Sequence, residues 1–249
     1  MTLLDPRAQL PAALSELGLA LSPKACERLL GHLELIAKWN RVYNLTAVRD
    51  PAEMWTHHLL DSLAAVLPLA AFWAGLRSSQ PHQAGLARPT TLHILDVGSG
   101  AGLPGVTLAI ALPEALAAAG LGGQACTSAP LVRMSCVDAV AKKAGFIRQV
   151  AAELGLSQLQ ALHGRVESLK MAPADVITCR AFASLADIVR LTQVHLAPGG
   201  VWMALKGVVP ADEIAALPAD VEVFHVEPLQ VPHLNAQRCL VWMRPRPQP

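Results

Sequence analysis

Residues 92–105 read Leu-His-Ile-Leu-Asp-Val-Gly-Ser-Gly-Ala-Gly-Leu-Pro-Gly. The apolar first half of this stretch is typical of a buried strand, and Pro104 suits the first turn of a following helix. The glycines at positions 98, 100 and 102 remove side chains from the connecting turn, which leaves backbone N–H groups open to a ligand. The stretch therefore predicts a strand–turn–helix unit that binds a nucleotide-like molecule.

Several kinds of glycine-rich turn have to be compared here. A phosphate-binding P-loop ends in Gly-Lys-Ser or Gly-Lys-Thr, which this stretch lacks. The dinucleotide fingerprint has its third glycine three positions after the second, where this chain has Leu103. The remaining pattern, Asp-x-Gly-x-Gly-x-Gly from Asp96 to Gly102, resembles the first motif of S-adenosylmethionine-dependent methyltransferases. A purely architectural turn is the alternative interpretation.

Strands and helices alternate along the chain from residue 92 onward. We expect strands near 92–97, 133–137, 159–163, 174–179, 200–206, 221–227 and 238–243, and helices near 104–112, 139–154, 184–196 and 210–216. This alternation predicts an α/β fold with a mostly parallel sheet. Only about ten residues separate the last two strands, too few for a helical crossover, so the last strand should be antiparallel. Seven strands with a reversed last one resemble the sheet of class I (Rossmann-like) methyltransferases more than the six-stranded dinucleotide fold.

The segment before this unit is predicted to be a helical extension. We expect residues 1–73 to form helices that pack on the core, and residues 92–245 to form the methyltransferase domain. The expected helices cover residues 6–18, residues 23–38 with Ser22 as N-cap, and a segment that begins at Asp50. In the last of these, one stripe is expected to be buried: Trp55, Leu59, Leu63 and Val66. Two further segments, 74–91 and 116–131, are predicted to be loops.

Composition excludes several classes of protein. The chain has 249 residues and a formal net charge of +1, which excludes a strongly basic nucleic-acid binder but not a local basic patch. Its longest apolar stretch, Leu63–Leu76, is shorter than the ~20 residues that a membrane-spanning helix needs. The five cysteines are scattered without a Cys-x-x-Cys pair, and the N-terminus lacks a secretory pattern. We therefore expect a cytoplasmic protein with reduced thiols, no bound metal and no membrane association.

Polar residues that follow the second and third strands are candidate cofactor ligands, because ligands of open α/β sheets bind at the carboxyl ends of the strands. Asp138 ends the second strand, where a carboxylate can accept hydrogen bonds from both ribose hydroxyls; its alternative role is to cap the next helix. Val166 and Glu167 follow the third strand, where the adenine edge should lie. Asp96 is expected to orient the glycine turn or to contact the ammonium group of the cofactor.

Two cations follow the fourth and fifth strands directly. Arg180 can bind a carboxylate or a phosphate with two parallel hydrogen bonds, and Lys206 can bind an RNA phosphate as a point charge. Ordinary surface cations are the alternative for both. Cys179 lacks the preceding proline of pyrimidine C5 methyltransferases, so a buried thiol is the favoured interpretation.

Five blocks occur in order along the chain: Trp39-Asn40-Arg41-Val42-Tyr43-Asn44-Leu45-Thr46, His58-x-x-Asp61-Ser62, the glycine turn, Arg180-Ala181-Phe182-Ala183 and Ala204-Leu205-Lys206-Gly207. Together they resemble the bacterial RsmG (GidB) family over residues 22–243. The resemblance implies transfer of a methyl group from S-adenosylmethionine to N7 of a guanine in 16S ribosomal RNA, within the assembled small subunit. It also implies cofactor contacts at Gly98, Leu103, Val166, Glu167 and Arg180, to which the glycine turn adds Gly100. The segments 74–91 and 116–131 are longer than in the family.

The segment from Trp39 to Ser62, which includes the first two blocks, is the candidate RNA surface. It interleaves aromatic and basic residues, as recognition of single-stranded RNA requires, and Arg41 is the preferred RNA contact. For His58 we favour a structural hydrogen bond, with Asp61 as its expected partner. N7 of guanine carries an exposed lone pair, so catalysis should rest on alignment, and Arg180 is expected to hold the cofactor carboxylate or an RNA phosphate.

Other functions remain open at this point. A small-molecule methyltransferase would use the same turn without a cationic rim. An oxidoreductase is disfavoured by Leu103 and by the reversed last strand. A non-catalytic cofactor-binding protein is the third alternative. A monomer is the favoured oligomeric state.

Overall fold

The computed structural model describes residues 5–79, 91–120 and 132–247. In the first of these ranges, helices and a π-helical turn precede the sheet: α1 (Pro6–Glu16), α2 (Pro23–Tyr43), α3 (Pro51–Met54), the π turn (Trp55–Leu60), α4 (Asp61–Leu63) and α5 (Val66–Ser79). The remaining elements alternate: β1 (Leu92–Val97), α6 (Gly105–Ala118), β2 (Val132–Asp138), α7 (Ala141–Glu153), β3 (Leu159–His163), β4 (Ala174–Arg180), α8 (Leu185–Thr192), β5 (Leu196–Lys206), α9 (Ala211–Ala215), β6 (Val221–Pro228) and β7 (Cys239–Pro245). Short 3-10 turns cover Val166–Ser168 and Gln193–His195.

The strands form one seven-stranded sheet in the order β3-β2-β1-β4-β5-β7-β6. Strands β1 to β5 pair in parallel, whereas β7 is antiparallel to both β5 and β6. The predicted fold class, with its reversed last strand, is therefore confirmed. This order puts the ends of β1 and β4 side by side at the middle of the carboxyl edge, where open α/β sheets bind their ligands.

Helix starts follow the expected side-chain caps. Ser22 accepts a hydrogen bond from the Ala25 N–H, Asp50 caps the Ala52 N–H, and Ser184 caps α8 through the Asp187 N–H. Pro104 lies one residue earlier than expected, at the N-cap of α6, so this helix begins at Gly105.

Two segments predicted as loops are partly helical. Helix α5 continues to Ser79 and α6 to Ala118, so the predicted loops 74–91 and 116–131 are wrong at their first residues. The rest of each predicted loop, apart from Thr91, Ala119 and Gly120, lies outside the described residues. The π turn joins α3 to α4 without a break, which makes Pro51–Leu76 long and apolar enough to cross a membrane by length and composition. Of its most apolar window, 61% is buried inside the protein, as in a core helix.

The buried face of this helical run packs on the sheet. Trp55, Leu59, Leu63 and Val66 are at most 1% exposed, as predicted. They belong to one apolar cluster with α2, α6 and residues on one face of the sheet, such as Ile94 and Trp242. A second cluster covers the other face, where α8 packs. The N-terminal helices thus share a hydrophobic core with the sheet.

This shared core predicts that a cavity in the helical run destabilises the whole protein. Leu59→Ala should lower the free energy of unfolding by about 2–5 kcal/mol, because it removes a fully buried side chain. Leu67→Ala on the same run is the control, since Leu67 is 37% exposed and should change stability by less than about 1 kcal/mol. Urea unfolding followed by circular dichroism and by tryptophan fluorescence measures both. Two separate transitions, with only one shifted, would contradict a shared core.

Candidate active site

The glycine turn after β1 has a backbone that favours glycine at three positions. Gly98, Gly100 and Gly102 have φ angles of 69°, 56° and 79°, in the left-handed region that other residues rarely adopt. An added Cβ at Gly98 would lie 2.3 Å from the ring of Phe182. Phe182, which follows β4, therefore packs on the turn at Gly98, whereas an added Cβ at Gly100 would meet no atom closer than 3.9 Å.

Two carboxylates fix this turn through its backbone amides. Asp96 Oδ2 accepts the Gly105 N–H at 3.0 Å, and Asp138 Oδ2 accepts the Gly100 N–H at 2.9 Å. The second Asp138 oxygen accepts the Val140 N–H at 2.8 Å, just before α7. Asp138 thus contacts both the turn and Val140, the N-cap residue of α7, but no side chain caps that helix. Carboxylate oxygens have further lone pairs, so these bonds leave room for a ribose hydroxyl.

Asp96 is an unusual carboxylate because it is fully buried. Burial raises its pKa to about 7, against the hydrogen bond from the Gly105 amide that favours the ionised form. Its Oδ1 atom is buried and has no hydrogen-bond partner within the described ranges. The prediction that Asp96 orients the glycine turn is borne out by its bond to Gly105, and Oδ1 remains a free acceptor next to that turn.

The N-terminal extension also reaches the turn. The His32 side chain on α2 donates its Nε2–H to the Ala101 carbonyl at 2.8 Å, since a carbonyl oxygen only accepts. Burial lowers the pKa of His32 to about 4, so the ring is neutral at physiological pH. A helix of the extension therefore contributes directly to the geometry of the turn.

A cavity of about 550 Å³ opens over the turn. Predicted site residues that line it are Gly98, Gly100, Leu103, Arg180 and Lys206. The remaining walls come from residues 45–48 after α2, from the π turn, and from Arg238 before β7. Asp138, Val166, Glu167 and Arg41 are not among the lining residues. The extension and the sheet thus form one cavity together.

A buried aspartate joins two arginines at this cavity. Asp61 is 4% exposed; its Oδ2 lies 2.9 Å from Arg180 Nη1, and its Oδ1 lies 2.7 Å from Arg238 Nε. Arg180 Nη1 also donates to the His57 carbonyl. One negative charge opposite two positive charges leaves a net charge of +1 in this group, which favours an anionic ligand. We call Asp61, Arg180 and Arg238 the arginine cluster.

The other predicted site residues lie around this cavity in different environments. Lys206 Nζ lies 2.8 Å from Glu213 Oε2, so its charge is already paired. Val166 begins a 3-10 turn, and its carbonyl accepts a hydrogen bond from His195 Nε2 at 2.7 Å. Glu167 Oε1 lies 3.8 Å from Arg165 Nη1 in an ion pair at the surface. Arg41 is exposed near the end of α2.

Sequence reasoning missed part of the site. His58 has the favoured structural role, but its Nε2 lies 2.9 Å from Thr46 Oγ1, and Asp61, its expected partner, binds the two arginines instead. Arg238 was not singled out, because 177 residues separate it from Asp61 and no local pattern marks it. Only the sheet topology, which places β7 next to β5, could have suggested its position.

The strand order, the reversed last strand and the glycine turn define a class I methyltransferase. Residues 25–75 and 85–241 match the model of the GidB family, described as rRNA small subunit methyltransferase G. The chain therefore belongs to this family, as its sequence blocks predicted.

Curated relatives agree with this assignment. The chain is 57% identical over 217 residues to ribosomal RNA small subunit methyltransferase G of Methylibium petroleiphilum, covering 87% of this chain and 84% of that protein. It is 56% identical to the protein of the same name from Acidovorax sp. (strain JS42), covering 92% and 91%. Among solved structures, the mitomycin 7-O-methyltransferase MmcR aligns with a TM-score of 0.48 and 14% identity, over 98% of this chain and 74% of that one.

His32 makes the stability of the fold dependent on pH. Its pKa is lowered from 6.5 to about 4 in the folded protein. Between pH 6.5 and pH 4, His32 is therefore protonated in the unfolded chain but stays neutral in the folded one. Stability is therefore lost as the pH falls from 6.5 to 4. His32→Gln keeps a donor for the Ala101 carbonyl and should remove about 3 kcal/mol of that loss. Free energies of unfolding at pH 7.5 and pH 4.5 measure the difference; equal acid losses in both proteins would contradict it.

Proposed function

We propose that this protein transfers a methyl group from S-adenosylmethionine to N7 of a guanine in 16S ribosomal RNA. The observation that carries the proposal is the combination of glycine turn and arginine cluster in one cavity. Family membership supports RNA of the small subunit as the substrate class. We further propose that the substrate is the assembled small subunit and that the enzyme acts as a cytoplasmic monomer.

The state of the carboxylate in the cavity favours N7 as the acceptor. Among the residues that line the cavity, the carboxylate is Asp61, and both of its oxygens are bound to arginines. Because each oxygen already accepts a hydrogen bond from a guanidinium group, neither is placed to take a proton from a substrate amino group. N7 needs no base, since its lone pair is free before the reaction. Methylation of an amino group would instead need a proton acceptor close to the nucleophile.

The turn fits the proposed cofactor. Sulfonium chemistry supplies a methyl group that a nitrogen lone pair can attack directly. Gly98 and Gly100 both line the cavity, and an added Cβ at Gly100 would meet no atom closer than 3.9 Å, so a cofactor can approach the backbone there. Asp138 would accept from the ribose hydroxyls. Val166 and Glu167, with Leu103, would border the adenine.

Arg180 would bind the anionic part of a ligand and not the target base. Methylated guanine is cationic, so a guanidinium beside N7 would raise the energy of the product. Arg180 is 19% exposed at its side chain, and Nη1 is the atom bound to Asp61 and to the His57 carbonyl. Catalysis would then consist of alignment of nitrogen, methyl and sulfur, which supplies roughly 7–11 kcal/mol in favourable cases.

The end of α2 and the start of α7 form the proposed RNA surface. Tyr43 is 43% exposed, its ring lies 4.9 Å from that of Trp39, and Lys142 Nζ lies 5.6 Å from the Tyr43 centroid. Arg41 is exposed on the same turn of α2. Residues 45–48, which follow directly, line the cavity, so this surface adjoins the site. An exposed aromatic ring with Lys142 beside it, and Arg41 exposed near the same helix end, are suited to a stacked base and its phosphates. Lys206, paired with Glu213, would reach a phosphate only by exchanging that partner.

The proposal is tested by locating the methyl group. Small ribosomal subunits that lack the modification are incubated with the protein and S-adenosylmethionine carrying a labelled methyl group. Borohydride reduction and aniline treatment then cleave the RNA strand selectively at N7-methylguanosine. Label in 16S RNA with one new cleavage site is expected. Label without cleavage would contradict N7 as the acceptor, and absence of label in RNA would contradict the substrate.

Arg180→Ala should lower kcat/KM for small subunits at least about a hundredfold, because it removes a charged donor from the cavity. Arg190→Ala on α8 is the control, since Arg190 is exposed and pairs only with Asp187 in the described contacts. Single-turnover rates and cofactor affinity are measured for both. Unchanged turnover and unchanged cofactor affinity in Arg180→Ala would refute its assignment.

Arg41→Ala should weaken binding of small subunits and reduce its dependence on salt. Loss of one phosphate contact lowers the slope of log affinity against log salt concentration by about one. Cofactor affinity should stay the same. Arg7→Ala serves as the control, because Arg7 lies on α1 and pairs with Glu34. Equal salt slopes for wild type and Arg41→Ala would show that Arg41 does not contact RNA.

A further inference from the structure

A second cavity, of about 830 Å³, adjoins the active-site cavity. It lies between the segment after β5, the end of β6 and the loop that leads into β7. Gly207 and Arg238 line both cavities. A ligand with two linked groups can therefore occupy both cavities across this common wall.

The lining of the second cavity combines apolar surface with neutral amides. Apolar side chains such as Val209, Leu229 and Leu234 contribute one part, and the amides of Gln230, Asn235 and Gln237 contribute another. Among these lining residues there is no carboxylate, and Arg238 carries the charge. A nucleobase likewise has an apolar part and a polar part. Its faces are apolar, and its edge carries donors and acceptors that can form hydrogen bonds with side-chain amides.

Arg238 has the position and charge needed for a phosphate. Its Nε is bound to Asp61 and its Nη1 donates to the Gln237 carbonyl at 2.8 Å, so the guanidinium is held at the common wall. Its side chain is 21% exposed, which leaves it accessible from the cavities. Asp61 is shared with Arg180, so it neutralises only one of the two positive charges. The net positive charge of the arginine cluster therefore lies at the wall between the two cavities, of about 550 and 830 Å³.

We propose that the second cavity binds the base of a nucleotide adjacent to the target guanosine, and that Arg238 binds the phosphate between the two nucleotides. This inference rests on the proposed function, since it needs RNA as the substrate. Val208 and Val209, at 63% and 54% exposed, add uncovered apolar surface beside this cavity. The enzyme thus recognises a dinucleotide unit and not the target base alone.

Filling the second cavity tests the inference from the protein side. Ala236 lines this cavity and not the first, so Ala236→Trp should block it without touching the cofactor turn. We expect KM for small subunits to rise roughly tenfold, the usual size of one lost base contact, with cofactor affinity unchanged. Ala119→Trp, at the exposed end of α6, is the control and should behave as wild type. Unchanged KM in Ala236→Trp would overturn the inference.

Removing the neighbouring base tests it from the RNA side. Small subunits are reconstituted on 16S RNA that is abasic at the nucleotide before or after the target guanosine. Wild type should lose roughly tenfold in kcat/KM with one of these RNAs, and Ala236→Trp should show no further loss with that RNA. Full activity on both abasic RNAs, or losses that multiply, would overturn the inference while the proposed function stands. No methylation of unmodified subunits by wild type would instead be a failure of the proposed function, on which this inference depends.

Discussion

Hydrogen bonds from two carboxylates and one histidine to the glycine turn and to the start of α6 are the constraint on which the site depends. Asp96 binds the Gly105 amide, Asp138 binds the Gly100 amide, and His32 binds the Ala101 carbonyl. The Ser99 hydroxyl and the Gly98 and Ser99 amides also bind main-chain carbonyls of the sheet, so the turn is fixed by its own groups as well as by its neighbours. The two carboxylates come from β1 and β2 and the histidine from α2, so both the sheet and the extension contribute to the shape of the turn.

The N-terminal helices therefore belong to the site as much as to the core. They supply His32 below the turn, residues 45–48 and the π turn as walls of the cavity, and Asp61 between two arginines. Such π turns often occur at functional positions, because they shift side chains out of regular helical register. Here the turn ends directly before Asp61. The arginine cluster couples this extension to β4 and to the start of β7, across the sheet edge where the ligands are proposed to bind.

Features that depend on local patterns were predictable from the sequence. Apolar runs predicted the strands of the sheet. Short polar residues before prolines predicted the helix starts at Ser22 and Asp50, and the positions after strand ends predicted Asp138 and Arg180 as site residues.

Features that depend on partners distant in the sequence were not predictable. Arg238 follows a loop without periodicity, and its role becomes visible only next to Asp61. The sequence suggests that Lys206 is free to bind a phosphate, because its ion-pair partner Glu213 lies on a different element, α9. Helix α5 ran past its expected end, since glycine and serine near its C-terminus predict a loop while packing on α6 favours the helix.

Calorimetric titration with S-adenosylhomocysteine, the demethylated cofactor, tests the central claim most directly. The wild-type protein should bind one molecule per chain. Gly98→Ala should lose most of this affinity while remaining folded by circular dichroism, because a Cβ there meets Phe182 and strains a left-handed φ. Absence of heat from folded wild type, or undiminished binding by Gly98→Ala, would contradict the assignment of the turn as the cofactor site.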